Sequence, residues 1–176
     1  MPYKAARAKR ANKIKNTIFT SRMKNTTSND IRLERLCKAH LDELAGQLRP
    51  ADRAEIQAMY SADPRAALAQ CHARSVLAVA WIYQGEVAAV AGVAAPSVLG
   101  VTGCVWLWTG PAVARAPKTF FKLSRRMLAF FKTFYPHLYA VCETSYAAAQ
   151  RYLLHLGAKP GPQVRLKAGR GQVYLF

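Results

Sequence analysis

The stretch from Gly103 to Tyr135 most constrains what this chain can fold into. Gly103-Cys-Val-Trp-Leu-Trp-Thr-Gly-Pro-Ala-Val reads as a strand running into a turn, and Lys118 to Tyr135 reads as one long amphipathic helix. Phe120, Phe121, Leu123, Met127, Leu128, Phe130, Phe131 and Phe134 form a stripe broad enough to predict a helix packed on a sheet. Lys118, Lys122, Arg125, Arg126 and Lys132 fall largely on the other side. Such a face is either solvated or meets phosphate or an acidic partner. Pro136 ends the helix. The turn ahead of it is where a small α/β fold would hold an anion, because a helix N-terminus offers unpaired N–H groups.

The segments around this unit have equally local signals. Ile31-Arg-Leu-Glu-Arg-Leu alternates like a half-buried strand, and Lys38 to Leu48 carries Leu41, Leu44, Ala45 and Leu48 on one helical stripe. Pro50 can start a helix over Ala51 to Tyr60, and Asp63-Pro64 can cap and open another that runs to about His72. Val76 to Tyr83 and Glu86 to Ala95 flank Gln84-Gly85 as a hairpin, which excludes a membrane span there. Pro96 to Thr102 reads as a loop and Cys104 to Thr109 as a strand, with Trp106 and Trp108 on one face and Val105 and Leu107 on the other. Leu138 to Cys142 is a further strand. Thr144 or Ser145 can cap a helix from Tyr146 to Leu156, stopped by Gly157. Val164 to Lys167 and Gln172 to Phe176 close the chain around Ala168-Gly-Arg-Gly. The order β-α-α-α-β-β-β-α-β-α-β-β predicts a mixed α+β fold with a largely antiparallel sheet flanked by helices.

Charge adds a second theme. The 176 residues carry a net +17, and residues 1 to 24 hold eight Lys/Arg and no acid. Residues 1 to 29 therefore read as a basic arm ahead of a domain over residues 30 to 176. The arm is either solvated or folds on nucleic acid or an acidic partner, and Met23 is an alternative start to Met1. Lys4, Arg7, Lys9, Arg10, Lys13 and Lys15, with Lys122, Arg125 and Arg126, are the candidate partner surface. The arm lacks the apolar core of a signal peptide. Cys37, Cys71, Cys104 and Cys142 form no CxxC pair and read as reduced core thiols. No metal site is expected, and Cys71-His72 reads as a helix end.

From Ile31 on, the order of elements resembles the GNAT (Gcn5-related N-acetyltransferase) fold. Ala147-Ala-Ala-Gln-Arg-Tyr-Leu-Leu-His-Leu-Gly-Ala is similar to its late helix, which closes on Gly before a strand. Within that fold the chain is similar to small internal-virion or assembly proteins of short-tailed phages with GNAT-like sequences. Ala39-His-Leu-Asp-Glu-Leu, Cys104-Val-Trp-Leu-Trp-Thr, Lys118 to Leu128, and Thr144 through Ala158 with Tyr174-Leu-Phe carry that resemblance. It implies virion or assembly proteins as partners, with DNA also possible. It also implies a place in the host cytoplasm during assembly and in the virion interior.

The resemblance sets two tests. Active GNAT enzymes carry Q/R-x-x-G-x-G/A at the start of the long helix to cradle the pyrophosphate of acetyl-CoA. The equivalent stretch here is Arg115-Ala-Pro-Lys-Thr-Phe, which keeps a basic first residue and lacks both small ones, while Pro117 removes a donor. Arg115, Ala116, Lys118 and Thr119 are the candidate cofactor contacts. Such enzymes also use a Glu-assisted base and a late-helix Tyr as acid. Counting four back from Gly157 gives Leu153, so Glu143, Tyr146 and Tyr152 are the candidates. The expectation is a phage assembly protein using a catalytically decayed GNAT-like domain for binding, with no cofactor. The alternatives are an active acetyl-CoA-dependent N-acetyltransferase and a sequence-independent nucleic-acid-binding protein.

Overall fold

A computed structural model describes residues 31–95 and 100–176. The basic arm, and with it Lys4, Arg7, Lys9, Arg10, Lys13 and Lys15, lies outside the described residues, as does most of the loop after Ala95.

The elements follow in the expected order, joined by one added 3-10 turn. They are β1 (Ile31–Arg35), α1 (Lys38–Gln47), α2 (Pro50–Tyr60), α3 (Pro64–Arg74), β2 (Ser75–Tyr83), β3 (Glu86–Ala94) and β4 (Thr102–Thr109). The 3-10 turn Pro111–Arg115 then leads into α4 (Pro117–Lys132), β5 (His137–Glu143), α5 (Ala147–His155), β6 (Lys159–Arg165) and β7 (Arg170–Leu175). Asp63 accepts the N–H groups of Arg65 and Ala66 and so opens α3 as a side-chain cap. Gly85 at φ 86° and Gly157 at φ 94° take left-handed backbone that closes the β2–β3 hairpin and ends α5.

The strands form one seven-stranded sheet in the order β1-β2-β3-β4-β5-β7-β6. Every neighbouring pair is antiparallel except β4 and β5. On one face, Leu41 and Leu44 of α1, Ile56 of α2 and Leu68 of α3 pack on Ala80, Ile82, Val90 and Trp108. On the other, Phe120, Leu123, Met127 and Phe131 of α4 pack on Val79, Trp81, Ala89 and Val93. The two faces of β4 are divided as the sequence alternation requires: Trp106 and Trp108 go to the first core, Val105 and Leu107 to the second. No helix among the described residues is long and apolar enough to cross a membrane, and the apolar run from Val76 folds as the β2–β3 hairpin.

Four local expectations are corrected. The long helix ends at Lys132, not Tyr135; Phe134 and Tyr135 instead donate backbone N–H groups to Phe131 in a tightened last turn. Neither Thr144 nor Ser145 caps α5; Ser145 gives its N–H, at 2.8 Å, and its hydroxyl to Glu143, and α5 starts from Tyr146 without a side-chain cap. The sixth strand spans Lys159–Arg165, not Val164 to Lys167. Pro160 and Pro162 suggest a loop, but β6 is a sheet edge, where missing donors are tolerated, and its register shifts between Pro160 and Gln163. Finally, Cys37 is not a core thiol: it is exposed at the start of α1, while Cys71 and Cys142 are buried and Cys104 is partly so.

Candidate active site

The site arises where the sheet comes apart. β4 and β5 are paired only at their first residues, Thr102 with His137, Gly103 with Leu138 and Cys104 with Tyr139. Beyond Cys104 the parallel partners diverge and leave a gap in the middle of the sheet. A cavity of about 170 Å³ occupies it, lined from both sides. Ser124, Met127 and Leu128 of α4, Tyr152 and Leu153 of α5 and Leu156 just after it close one side, and Glu55, Met59 and Tyr60 of α2 close the other. Trp81 and Trp108 also line it, from opposite faces of the sheet, and the buried indole N–H of Trp81 has no hydrogen-bond partner among the described residues.

Two carboxylates of α2 lie buried at this gap. Glu55 is 8% exposed and Asp52 3% exposed. Glu55 accepts the backbone N–H of Glu143, at the end of β5, at 2.8 Å. Burial pushes the Glu55 carboxyl up to about 7, against the help of that hydrogen bond. Asp52 is fully engaged: it takes Arg49 Nε at 2.7 Å, Thr109 Oγ1 at 3.1 Å and Tyr146 Oη at 3.3 Å. Arg49 Nη2 donates to Tyr146 Oη at 2.8 Å, closing the network. Burial, and then the charge of Asp52, push the Tyr146 phenol up to about 12, so it keeps its proton at neutral pH.

The sequence-derived candidates fall in different places. Glu143 uses its carboxylate within its own turn, on Ser145, and contributes to the gap through its backbone. Tyr146 joins the Asp52 network. Tyr152 and Leu153 both line the cavity, and the Tyr152 hydroxyl is hydrogen-bonded to Ser124, linking α5 to α4. Arg115 is turned away from α4: its Nη2 meets Glu86 at 2.6 Å and its guanidinium lies 5.4 Å from the centre of the Tyr83 ring. Phe120, where the motif has a small residue, is buried with its ring 4.7 Å from that of Trp81. Lys118, Lys122, Arg125 and Arg126 are exposed on α4, and none is in an ion pair among the described residues.

Asp52 and Glu55 escaped the sequence reading. Their signal was present: with Ile56 and Met59 they share one face at i, i+3, i+4 and i+7, two acids on a stripe that is otherwise apolar.

No family model matches this sequence, and no curated protein matches it. Its fold, by contrast, recurs in solved structures. The ribosomal L7/L12 alpha-N-protein acetyltransferase RimL, solved in complex with coenzyme A, is 11% identical at a TM-score of 0.63, over 85% of this chain and 94% of that one. The microcin self-immunity acetyltransferase MccE, in complex with acetyl-CoA and AMP, is 11% identical at 0.62, over 85% and 93%. A GCN5-related N-acetyltransferase from Brucella melitensis is 17% identical at 0.60, over 89% and 79%. The mixed, mostly antiparallel sheet with its one parting parallel pair is the fold of the GCN5-related N-acetyltransferases.

Proposed function

We propose that this chain is an acyl-CoA-dependent N-acyltransferase whose general base is Glu55. The observation that supports it is a carboxylate buried on the wall of the gap cavity with its pKa raised to about 7. Burying a carboxylate is unfavourable for folding, and a base poised near the working pH is what proton abstraction from an ammonium needs.

The residues present fit the thioester arm of the cofactor. The cavity is mainly apolar and lies where β4 and β5 part. The phosphate end has fewer donors. Pro117 opens α4 without an N–H, and no side chain caps that helix, so the N–H groups of Lys118 and Thr119 have no acceptor within it. The side chains of Lys118 and Lys122 add charge there. When bound, acyl-CoA supplies an acyl group whose carbon–sulfur bond breaks as the amine nitrogen bonds to the acyl carbon, leaving a thiol. Glu55 accepts the proton that the ammonium must lose before its nitrogen can attack. Glu143 holds Glu55 through its backbone N–H. Tyr152, whose pKa burial raises, keeps its proton at neutral pH on the cavity wall; it would give that proton to the departing sulfur and regain one from the second proton that the attacking nitrogen sheds.

The test is release of coenzyme A thiol from acetyl-CoA with a panel of amines, together with a thermal-shift titration. Saturation to 100 times Kd would raise stability by about 2.7 kcal/mol. No turnover and no shift at millimolar cofactor would remove this reading.

A second reading rests on Pro117 and the two missing small residues. In it the domain is a binding module for virion or assembly proteins, or for DNA, with the exposed cations of α4 as its contact face. Host cytoplasm during assembly and the virion interior are the places it would work. Mass spectrometry of purified particles tests it.

A further inference from the structure

We propose that the β6–β7 hairpin is an anion-reading arm: the amine substrate carries carboxylate or phosphate groups, and Arg165, Lys167 and Arg170 bind them beside the carboxylate pocket. This rests on the transferase reading for the amine, but the anion site stands on observations of its own.

Arg165 and Arg170 are direct partners across the hairpin. Like charges opposite one another on neighbouring strands destabilise the pair. Lys167 sits in the turn between them, all three are exposed, and none has a carboxylate partner among the described residues. Gln163, Val164, Arg165, Gly169 and Arg170 line a shallow concavity there. Arginine pairs converging on a hollow suit carboxylate and phosphate, which accept paired N–H bonds.

The hairpin is also fixed against the site. Ala168 donates its N–H to Ala58 O of α2 at 2.9 Å, one helical turn past Glu55. The carbonyl of Arg170 accepts the N–H of Thr144 at 3.0 Å, and its neighbour Gly171 pairs with Glu143, whose own N–H goes to Glu55. Gly169, at φ 90°, makes the turn that allows this.

Charge then selects the substrate class. From Val87 to Phe176 the sequence has one acid, Glu143, against eleven Lys and Arg. The acids of the site, Asp52 and Glu55, are buried. A small polycation would be repelled by Arg165, Lys167 and Arg170 before it met those carboxylates. An amine on an anionic carrier meets attraction at both.

The test uses the whole chain without cofactor and three dye-labelled peptides with a free N-terminal Ala, followed by glutamates, phosphoserines or glutamines. Fluorescence anisotropy should show the two anionic peptides binding at least about ten-fold tighter than the glutamine peptide, with affinity falling as salt rises. The double variant Arg165→Glu with Arg170→Glu should lose that preference while melting as the parent does. If phosphoserine binds more tightly than glutamate, the anion is a phosphate; the reverse order makes it a carboxylate. Equal binding of all three peptides overturns the proposal. So does an acidic preference that survives the double variant, which would put polyanion binding on α4. Charge-selective binding lost in the double variant, in a protein that transfers no acyl group, supports the arm and overturns the transferase reading alone.

Discussion

The carboxylate of Glu55 accepts the backbone N–H of Glu143 at 2.8 Å, across 88 residues of sequence, at the gap where β4 and β5 part. One residue of α2 and the last residue of β5 thereby place an acid in the wall of a mainly apolar cavity.

Glu55→Gln keeps an acceptor for that N–H and removes the base. Acyl transfer should fall by about 10²-fold or more, and thiol-release kinetics would show it. In the parent, the rate should climb as pH passes about 7 and Glu55 loses its proton.

The same residue gives a stability signature. Its folded pKa, about 7, lies above the ordinary 4.5, so folding favours the protonated form. The favourable contribution is full below about 4.5 and is lost as pH rises to about 7. Urea unfolding of Glu55→Gln should therefore lack a decline of about 3 kcal/mol that the parent shows between pH 5 and pH 8. Parallel curves for the two proteins would contradict the burial of an ionisable group at this site.

Pro117→Ala restores a backbone donor at the start of α4 while keeping a residue that is good in helices. Calorimetric titration should show acetyl-CoA binding more tightly to the variant. Undetectable binding in both proteins would favour the binding-module reading.

Tyr146→Phe removes the hydroxyl that bridges Asp52 and Arg49. The expected loss is about 1 kcal/mol, read by thermal or denaturant unfolding. Asp52 keeps Arg49 and Thr109, so a collapse of the fold would show that the network is more tightly coupled than its separate bonds.

Gly92 and Trp106 are paired across β3 and β4. A Cβ at Gly92 would come within 2.7 Å of both the Trp106 ring and the carbonyl of Leu77, while Trp106 Nε1 is held by Ser75 Oγ at 2.8 Å. Gly92→Ala should destabilise by about 2 kcal/mol or more. A neutral substitution would mean that the indole has room to move.

Most of the fold could be read in advance because its signals are short-range. The Asp63-Pro64 start, the Gln84-Gly85 turn, the Gly157 stop and the phenylalanine stripe of α4 act within a few residues, and each formed the expected element. At β6 a distant partner decided. The prolines of β6 discourage a strand unless that strand is an edge, and being an edge depends on sheet order. Glu143 and Tyr146, candidates together with Tyr152, both meet α2, a contact that no local signal in the sequence announces.

The alternation of side chains along each segment, which depends only on backbone geometry, determined which elements form and which faces they bury. Tertiary structure decided what Asp52 and Glu55 are. On a helix such residues are usually solvated. Here the neighbours that enclose them, Thr109, Glu143 and Tyr146, lie 57 or more residues away in the chain. Desolvation depends on that enclosure, so the pKa of Glu55 is a property of the assembled sheet and helices.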